Sequence, residues 1–508
     1  MTWTFPPRPR VLGAGFFVGL WVLWWLAFPP VALPFLSLLA LMGWFALAGS
    51  ARSPREAFVR ILVLGLPFWV YHLAWIRHVP VEPRVRPWLW MGVGLLALLE
   101  SAFWGTVAAA YRWRWPASSW ERAFWGGVLW GAYEYLRAQS ALGFLWTPVW
   151  SSTVRMMDLA GILAWAGPYT WSVLWVTAAV ALLEGLRRRT EGLLLLSLTL
   201  VGGLWGTGHW IRSHRPAPSG WVRVAVVQPS VLPRVLYDPE EWPTMQRVYD
   251  SLWAHLPDSV DLAIFSESAF PGMYRFSRTS RTYIRHLQRL HPIPLLFGDA
   301  DMWVEGRQRK FFNAAVLIDT AGRIRDIYHK QQLVPFGEWI PYEDRFPLLQ
   351  KLNFGQGHYT PGRRTAPLRM TGLPPLGVLI CFEAIFPRYA RHHVARGARV
   401  LVNVTNDGWF GPTLGPREHF QLHRFRALET GRAYVRAART GISGWIGPNG
   451  EIRDTLGLMV RGLKVYRIPL YRASTPYVRW GEGPFFFLVL LGVGLRVLGT
   501  LRNRRRAA

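Results

Sequence analysis

Eight apolar runs, each close to the ~20 residues that an α-helix needs to cross a bilayer, constrain this chain more than any other feature. They lie at 11–28, 31–48, 58–76, 88–110, 123–142, 159–183, 192–211 and 484–501. In hydrocarbon a backbone amide has no water to bond, so runs of this kind are expected to be helices. The fifth carries Glu134 and Arg137, and ionisable side chains at that depth are expected to face the bundle interior or a wet cavity. The first passes through Pro29 and Pro30 straight into the second with no small-residue cleavage site, so it reads as a retained helix rather than a signal peptide.

A net charge of +28 raises the question of nucleic acid, and its placement argues against it. Residues 221–470 carry +12, and the apolar flanks carry +16 in clusters between the runs. That is the pattern of a polytopic membrane protein facing anionic lipid, so no nucleic-acid partner is expected. Arginines mark alternate loops: Arg8 and Arg10, Arg52 and Arg55, Arg112, Arg114 and Arg122, Arg187 to Arg189, and the tail Arg502 to Arg506. The positive-inside rule puts these loops in the cytoplasm; Arg77, Arg84 and Arg86 are a minor exception. The expected organisation is a seven-helix bundle over 1–215, an extracytoplasmic domain over 221–470, a returning helix at 484–501 and a basic tail at 502–508. Both termini are then cytoplasmic and, in a bacterium-like cell, the membrane is the inner one. A single cysteine, Cys381, excludes an internal disulfide and zinc sites of the paired-cysteine type.

Between 221 and 470 the pattern changes to short β-rich apolar runs, at 222–228, 261–268, 293–300, 313–320, 376–383 and 399–407. Amphipathic segments at 241–256, 281–290 and 386–396 fall among them, which indicates an α/β domain whose sheets are covered by helices. Three residues stand at strand ends, where α/β folds concentrate function: Glu267, Lys330 and Cys381. A carboxylate can take a thiol proton, and a lysine can favour the thiolate and hold the oxyanion formed when a carbonyl is attacked. A helix N-terminus after the thiol would favour the thiolate too. Taken singly, Cys381 also fits a small buried apolar residue, Glu267 a cap or ion pair, and Lys330 a solvated strand end. His419 and His423 are four apart, but no third ligand accompanies them and they read as surface or core histidines; no metal is expected. Gly15 and Gly19 lie in a membrane run and read as helix-packing positions.

Four stretches in order, FSESAFP (265–271), YHKQQLVPFGEWIP (328–341), LICFEAIFP (379–387) and NVTNDGWFG (403–411), resemble the nitrilase, or carbon–nitrogen hydrolase, superfamily. With the apolar runs they resemble its membrane-embedded branch, the apolipoprotein N-acyltransferase family, over nearly the whole chain. The resemblance implies an αββα sandwich as the catalytic domain, with Cys381 as nucleophile, Glu267 as general base and Lys330 as stabiliser of the tetrahedral intermediate. It implies that Glu338 orients Lys330 and the base, and that Glu383 supports the site, although Glu383 could instead pair with one of the many arginines. Phe382 stands where the family commonly has tyrosine, and Tyr237 falls near an expected substrate-contacting tryptophan. Tyr274, Phe276, Trp409 and Phe410 are candidates for a lid that dips into lipid, or for plain packing. The implied partners are a phospholipid acyl donor and a diacylglyceryl-modified apolipoprotein acceptor, with no cofactor. The rivals are a membrane-anchored amidase that uses water, and a transporter or scaffold with an inert domain.

The charge pattern generates a topology prediction. A reporter joined after Arg215 should be active outside the cytoplasm and one after Ala508 inside it; a cytoplasmic signal from the first overturns the orientation.

Overall fold

The structure, a computed structural model, describes residues 14–81, 83, 86–113, 118–232, 242–343, 345–346 and 358–507. Tyr237, Arg8, Arg10, Arg84 and Arg114 lie outside the described residues.

A helix occupies each of the eight apolar runs: α1 (Ala14–Ala27), α2 (Pro34–Ser50), α3 (Pro54–Leu73), α4 (Arg86–Arg112), α5 (Ser119–Arg137), α7 (Leu163–Arg188), α8 (Glu191–Ser213) and α14 (Gly483–Ala507), with a single turn α6 (Met157–Ala160) between α5 and α7. The stretch 54–78 and helices α4, α7 and α8 are long and apolar enough to span a bilayer. Polar starts set some boundaries. Ser53 and Ser118 each accept a hydrogen bond from the backbone N–H three residues on, at 3.2 and 3.1 Å, and in both cases that residue is a glutamate, the spacing of a capping box. Helix α7 is the axis of the bundle: 83% of its apolar window is buried against 22% for α8, and it packs on α2, α5, α8 and α14.

The charged residues of α5 are turned inward, as their depth requires. Glu134 accepts from the Ser172 hydroxyl at 2.5 Å and the Val149 N–H at 2.6 Å. Arg137 pairs with Glu100 at 3.1 Å, and Arg122 pairs with Glu184 at 2.6 Å. Each of these buried charges therefore meets a specific partner, which is what makes its burial tolerable.

The described residues between 220 and 470 form two facing sheets. The first has the order β11-β1-β2-β3-β4-β5 and the second β10-β9-β8-β7-β6. The strands are β1 (Gly220–Gln228), β2 (Leu262–Phe265), β3 (Leu295–Glu305), β4 (Gln308–Ile318), β5 (Ile324–His329), β6 (Leu376–Ile380), β7 (Val400–Thr405), β8 (Tyr434–Ala438), β9 (Ser443–Ile446), β10 (Ile452–Leu456) and β11 (Gly462–Leu470). Helices α9 (Trp242–Trp253) and α10 (Arg278–Leu290) cover the first sheet, where Trp253, Tyr283 and Leu287 meet Phe265 and Phe297 in one cluster. Helices α11 (Pro387–Ala395) and α12 (Gly415–Thr430) lie on the second. The result is an α-β-β-α stack. In the parallel pairs β1–β2–β3 and β6–β7–β8, strands β2, β6, β7 and β8 are buried along their whole length, and β2 and β6 are apolar throughout. The short α13 (Pro476–Trp480) leads back to α14.

The stack is fastened to the bundle through α12. Glu418, 4% exposed, accepts from the Trp146 indole at 2.6 Å and faces His72 Nδ1 of α3 at 2.8 Å. Arg424 donates to the Val154 carbonyl at 2.7 Å, and Trp150 packs edge-on against Phe425 with centroids 4.7 Å apart.

A close helix crossing generates the second prediction. A Cβ on Gly208 of α8 would overlap the backbone carbonyl of Asp158 in α6, whereas one on Gly206 would meet nothing within 4 Å. Gly208→Ala should cost about 1–3 kcal/mol, as overpacking does, and lower the Tm in detergent, while Gly206→Ala leaves it unchanged; equal melting of the two variants overturns the crossing.

Candidate active site

The site is assembled from strand ends of both sheets. Glu267 follows β2 and Lys330 follows β5 in the first sheet; Cys381 follows β6 and Asn406 follows β7 in the second. Gly298 on β3 lets Glu267 approach, since a Cβ there would collide with the Glu267 Cα.

Lys330, 1% exposed, lies between two carboxylates. Its Nζ is 2.8 Å from Glu338 Oε1 and 3.9 Å from Glu267 Oε1. Asn313, on β4, bridges the same two groups, its amide donating at 2.8 Å to Glu267 and 2.7 Å to Glu338. The remaining lone pairs are met by backbone: Asn406 N–H donates to Glu267 Oε2 at 2.9 Å, and Val334 N–H to Glu338 Oε2 at 2.8 Å. Burial works against the Lys330 ammonium, but Glu338 and Glu267 outweigh it and hold its pKa above the ordinary lysine value. Burial raises the Glu267 pKa against the opposing pull of Lys330.

Cys381 has a backbone φ of 47°, a left-handed conformation that costs a non-glycine residue about 1–3 kcal/mol and is tolerated where the surroundings enforce it. It opens a 3-10 turn, Cys381–Ile385, so that α11 begins only at Pro387. The expected stabilisation of a thiolate by a following helix is therefore corrected. Burial, and after it Glu267, push the Cys381 pKa well up, with Lys330 and the Thr405 hydroxyl offsetting only part.

Glu383 is fully buried and takes no arginine among the described residues. It accepts from the Tyr328 hydroxyl at 2.6 Å, Gln331 N–H at 2.9 Å and Ile380 N–H at 3.0 Å, tying β5 to the turn that carries Cys381. The aromatic candidates separate. Tyr274 is a core residue whose hydroxyl donates to the Gly322 carbonyl at 2.7 Å, so packing describes it and a lid does not. Phe276 is exposed. Phe382 is buried against Phe386 and against Phe144 of the bundle, with centroids 5.3 and 6.1 Å away. Trp409 is half-buried, and Phe410 stacks edge-on with Trp75 at 4.5 Å.

Sequence reasoning passed over Asn313, Asn403, Asp407 and Arg436, and read His419 only as a surface or core histidine. Asn313 was legible as the polar residue that opens the apolar run 313–320, Arg436 stands as a charge within YVRAA, and Asn403 and Asp407 sit inside NVTNDGWFG. His419 and His423 are buried core histidines, the second of the two expected settings.

Comparison with known proteins follows this division. Residues 223–475 match the carbon-nitrogen hydrolase family, and 22–183 match the N-terminal domain of apolipoprotein N-acyltransferase. Fold and site thus define a carbon–nitrogen hydrolase domain joined to apolar helices. An apolipoprotein N-acyltransferase of Geobacter metallireducens is 30% identical over 96% of this chain and 92% of its own, and one of Caulobacter vibrioides is 31% identical over 87% and 85%. An amidase from Nesterenkonia sp. is a solved structure 22% identical over 49% of this chain and 90% of its own, with a TM-score of 0.37. The chain belongs to the apolipoprotein N-acyltransferase family.

The shared amide generates the third prediction. Asn313→Ala removes one donor from each of two buried carboxylates, so with about 1.5–3 kcal/mol per hydrogen bond to a charged group, acyl transfer should slow at least tenfold. Stopped-time intact-mass measurement checks it; an unchanged rate shows the bridge to be idle.

Proposed function

We propose that this acyltransferase works by a ping-pong route in which Cys381 carries the acyl chain. The Cys381 thiol gives its proton to Glu267 while sulfur attacks the sn-1 ester carbonyl of a phospholipid. The tetrahedral oxyanion is held by the Lys330 ammonium. Collapse breaks the ester C–O bond, Glu267 returns the proton to the departing lysophospholipid, and a thioester remains. The α-amine of a diacylglyceryl-cysteine then attacks that thioester, Glu267 takes a proton from it, the C–S bond breaks and sulfur is reprotonated. Glu338 keeps Lys330 charged and aimed, and Glu383 holds the nucleophile's turn.

The observation that carries this reading is the buried ammonium between Glu267 and Glu338 at the strand ends that also bear Cys381. Contact between the site and the bundle supports lipid substrates. Phe382 packs on Phe144, and Gln332, two residues after Lys330, donates to the Ala141 carbonyl at 3.0 Å. Eight crossings with the catalytic stack on the extracytoplasmic face of the inner membrane complete the proposal, because lipoprotein acceptors and phospholipid must both reach the site from the bilayer. The narrow setting of Cys381, 6% exposed, suits a thioester that must outlast encounters with water.

The fourth prediction follows. Phospholipid alone should add one acyl chain to the protein, removable by hydroxylamine and lost in Cys381→Ala. The adduct should persist in detergent and disappear when diacylglyceryl-cysteine peptide is added, leaving N-acylated peptide. Rapid release of free fatty acid that lipopeptide does not alter overturns the transferase route in favour of hydrolysis.

A further inference from the structure

Behind the nucleophile lies a second polar cluster that the acyl-transfer steps do not use. Asp407, His419 and Arg436 are each at most 1% exposed. Arg436 donates to Asp407 Oδ2 at 2.7 Å and lies 3.1 Å from His419 Nδ1. His419 Nδ1 is also 3.1 Å from Asp407 Oδ1, which accepts from the Thr405 hydroxyl at the same distance. The other face of the imidazole points forward: Nε2 is 3.3 Å from the Cys381 carbonyl oxygen. Asn403 reaches that oxygen only at 3.5 Å and has a nearer partner in the Leu379 carbonyl at 3.0 Å.

The ring has few ways to satisfy these neighbours. A carbonyl can only accept, so Nε2 must carry a proton. Nδ1 lies 3.1 Å from both the Arg436 guanidinium and Asp407 Oδ1, so these two groups fix the ring from behind. Burial lowers the His419 pKa. The carbonyl it holds belongs to the one site residue with a left-handed backbone, Cys381 at φ 47°. Rotation of that peptide toward an ordinary conformation would break the bond.

We propose that His419 is a positioning residue for the nucleophile: its Nε2–H holds the Cys381 carbonyl and with it the left-handed turn that aims the thiol, while Asp407 and Arg436 fix the ring. The proposal rests on the reading of Cys381 as the acyl carrier. His419 touches no reacting atom; it acts through the peptide of Cys381. The preceding residue, Glu418, bonds Trp146 and faces His72, so the turn of α12 that presents the imidazole is itself anchored on the bundle.

The test is single-turnover acylation of the full-length protein in detergent, read by intact mass over a range of phospholipid concentrations, with Tm measured alongside. His419→Gln can place an amide N–H near the Nε2 position, whereas the shorter His419→Asn still meets Asp407 and Arg436 but falls short of the Cys381 carbonyl. His419→Asn should lower the maximal acylation rate roughly tenfold, the loss expected for one hydrogen bond, with half-saturation unchanged. His419→Gln should recover most of that rate. A wild-type rate for His419→Asn overturns the positioning role, and so does an equal loss in both variants that follows a fall in Tm, which would assign His419 to packing. Cys381→Ala in the same assay separates the two readings: loss of the adduct there leaves the nucleophile standing whatever His419 does, and its persistence overturns both.

Discussion

A lysine ammonium with almost no exposure is the constraint on which the catalytic half of this protein depends. Removing such a charge from water costs several kcal/mol even in a relaxed protein, so it must be matched at close range. Here the match is one carboxylate in contact, Glu338, and a second within reach, Glu267. Two carboxylates against one cation leave an excess negative charge, and Asn313 and the N–H groups of Asn406 and Val334 spread it. Those donors come from both sheets. The stack must therefore close before the site exists, and burial within it, with Glu267 second, raises the pKa of the neighbouring Cys381 thiol.

The bundle obeys the same rule in a harsher solvent. Several of its buried ionisable residues are paired or multiply hydrogen-bonded, as in Glu100 with Arg137 and Glu134 with Ser172 and the Val149 N–H. One strand of this polar network leaves the bundle, because Arg137 also donates to the Trp146 carbonyl at 3.0 Å while the Trp146 indole meets Glu418. Bundle and stack are thus joined by groups that would be costly to leave unpartnered. That makes the junction more specific than apolar contact alone would be.

Much of this was legible in the chain, and the misses have a common cause. Apolar runs of bilayer length announce helices because hydrocarbon leaves the backbone no alternative. The buried strands β1 to β4, β6 and β7 announce themselves as continuous apolar stretches, and the ends of these and of IRDIYH pointed to Glu267, Cys381 and Lys330. Strands β8 to β11 went unread: YVRAA and IRDTL carry charge, and SGWI is four residues long. Helix α12 shows no apolar stripe because nearly all of it is buried, wedged between a sheet and the bundle, with His423, Arg426 and Glu429 inside. Periodicity reports a boundary between core and solvent. An element with no solvent face has no such boundary to report, and the Asp407–His419–Arg436 cluster was lost with it. The expectation of a helix N-terminus at Cys381 failed for a related reason, since the 3-10 turn that follows it is held by tertiary contacts of Glu383.

The pairing of β1 with β11 has a consequence for how such a chain can arise. Gly220 lies opposite Leu470, and the register runs unbroken to Gln228 opposite Gly462. The polypeptide enters and leaves the stack side by side, a few residues after α8 ends at Ser213 and a few before α13 starts at Pro476. Adjacent termini are what allow one folded body to be spliced into a loop of another without disturbing either. The catalytic stack has the geometry of a cassette: a free-standing hydrolase and a set of membrane helices need only one recombination event, in the loop between α8 and the last helix, to become a single gene. The contacts that α12 makes with the bundle could then be acquired gradually, one substitution at a time.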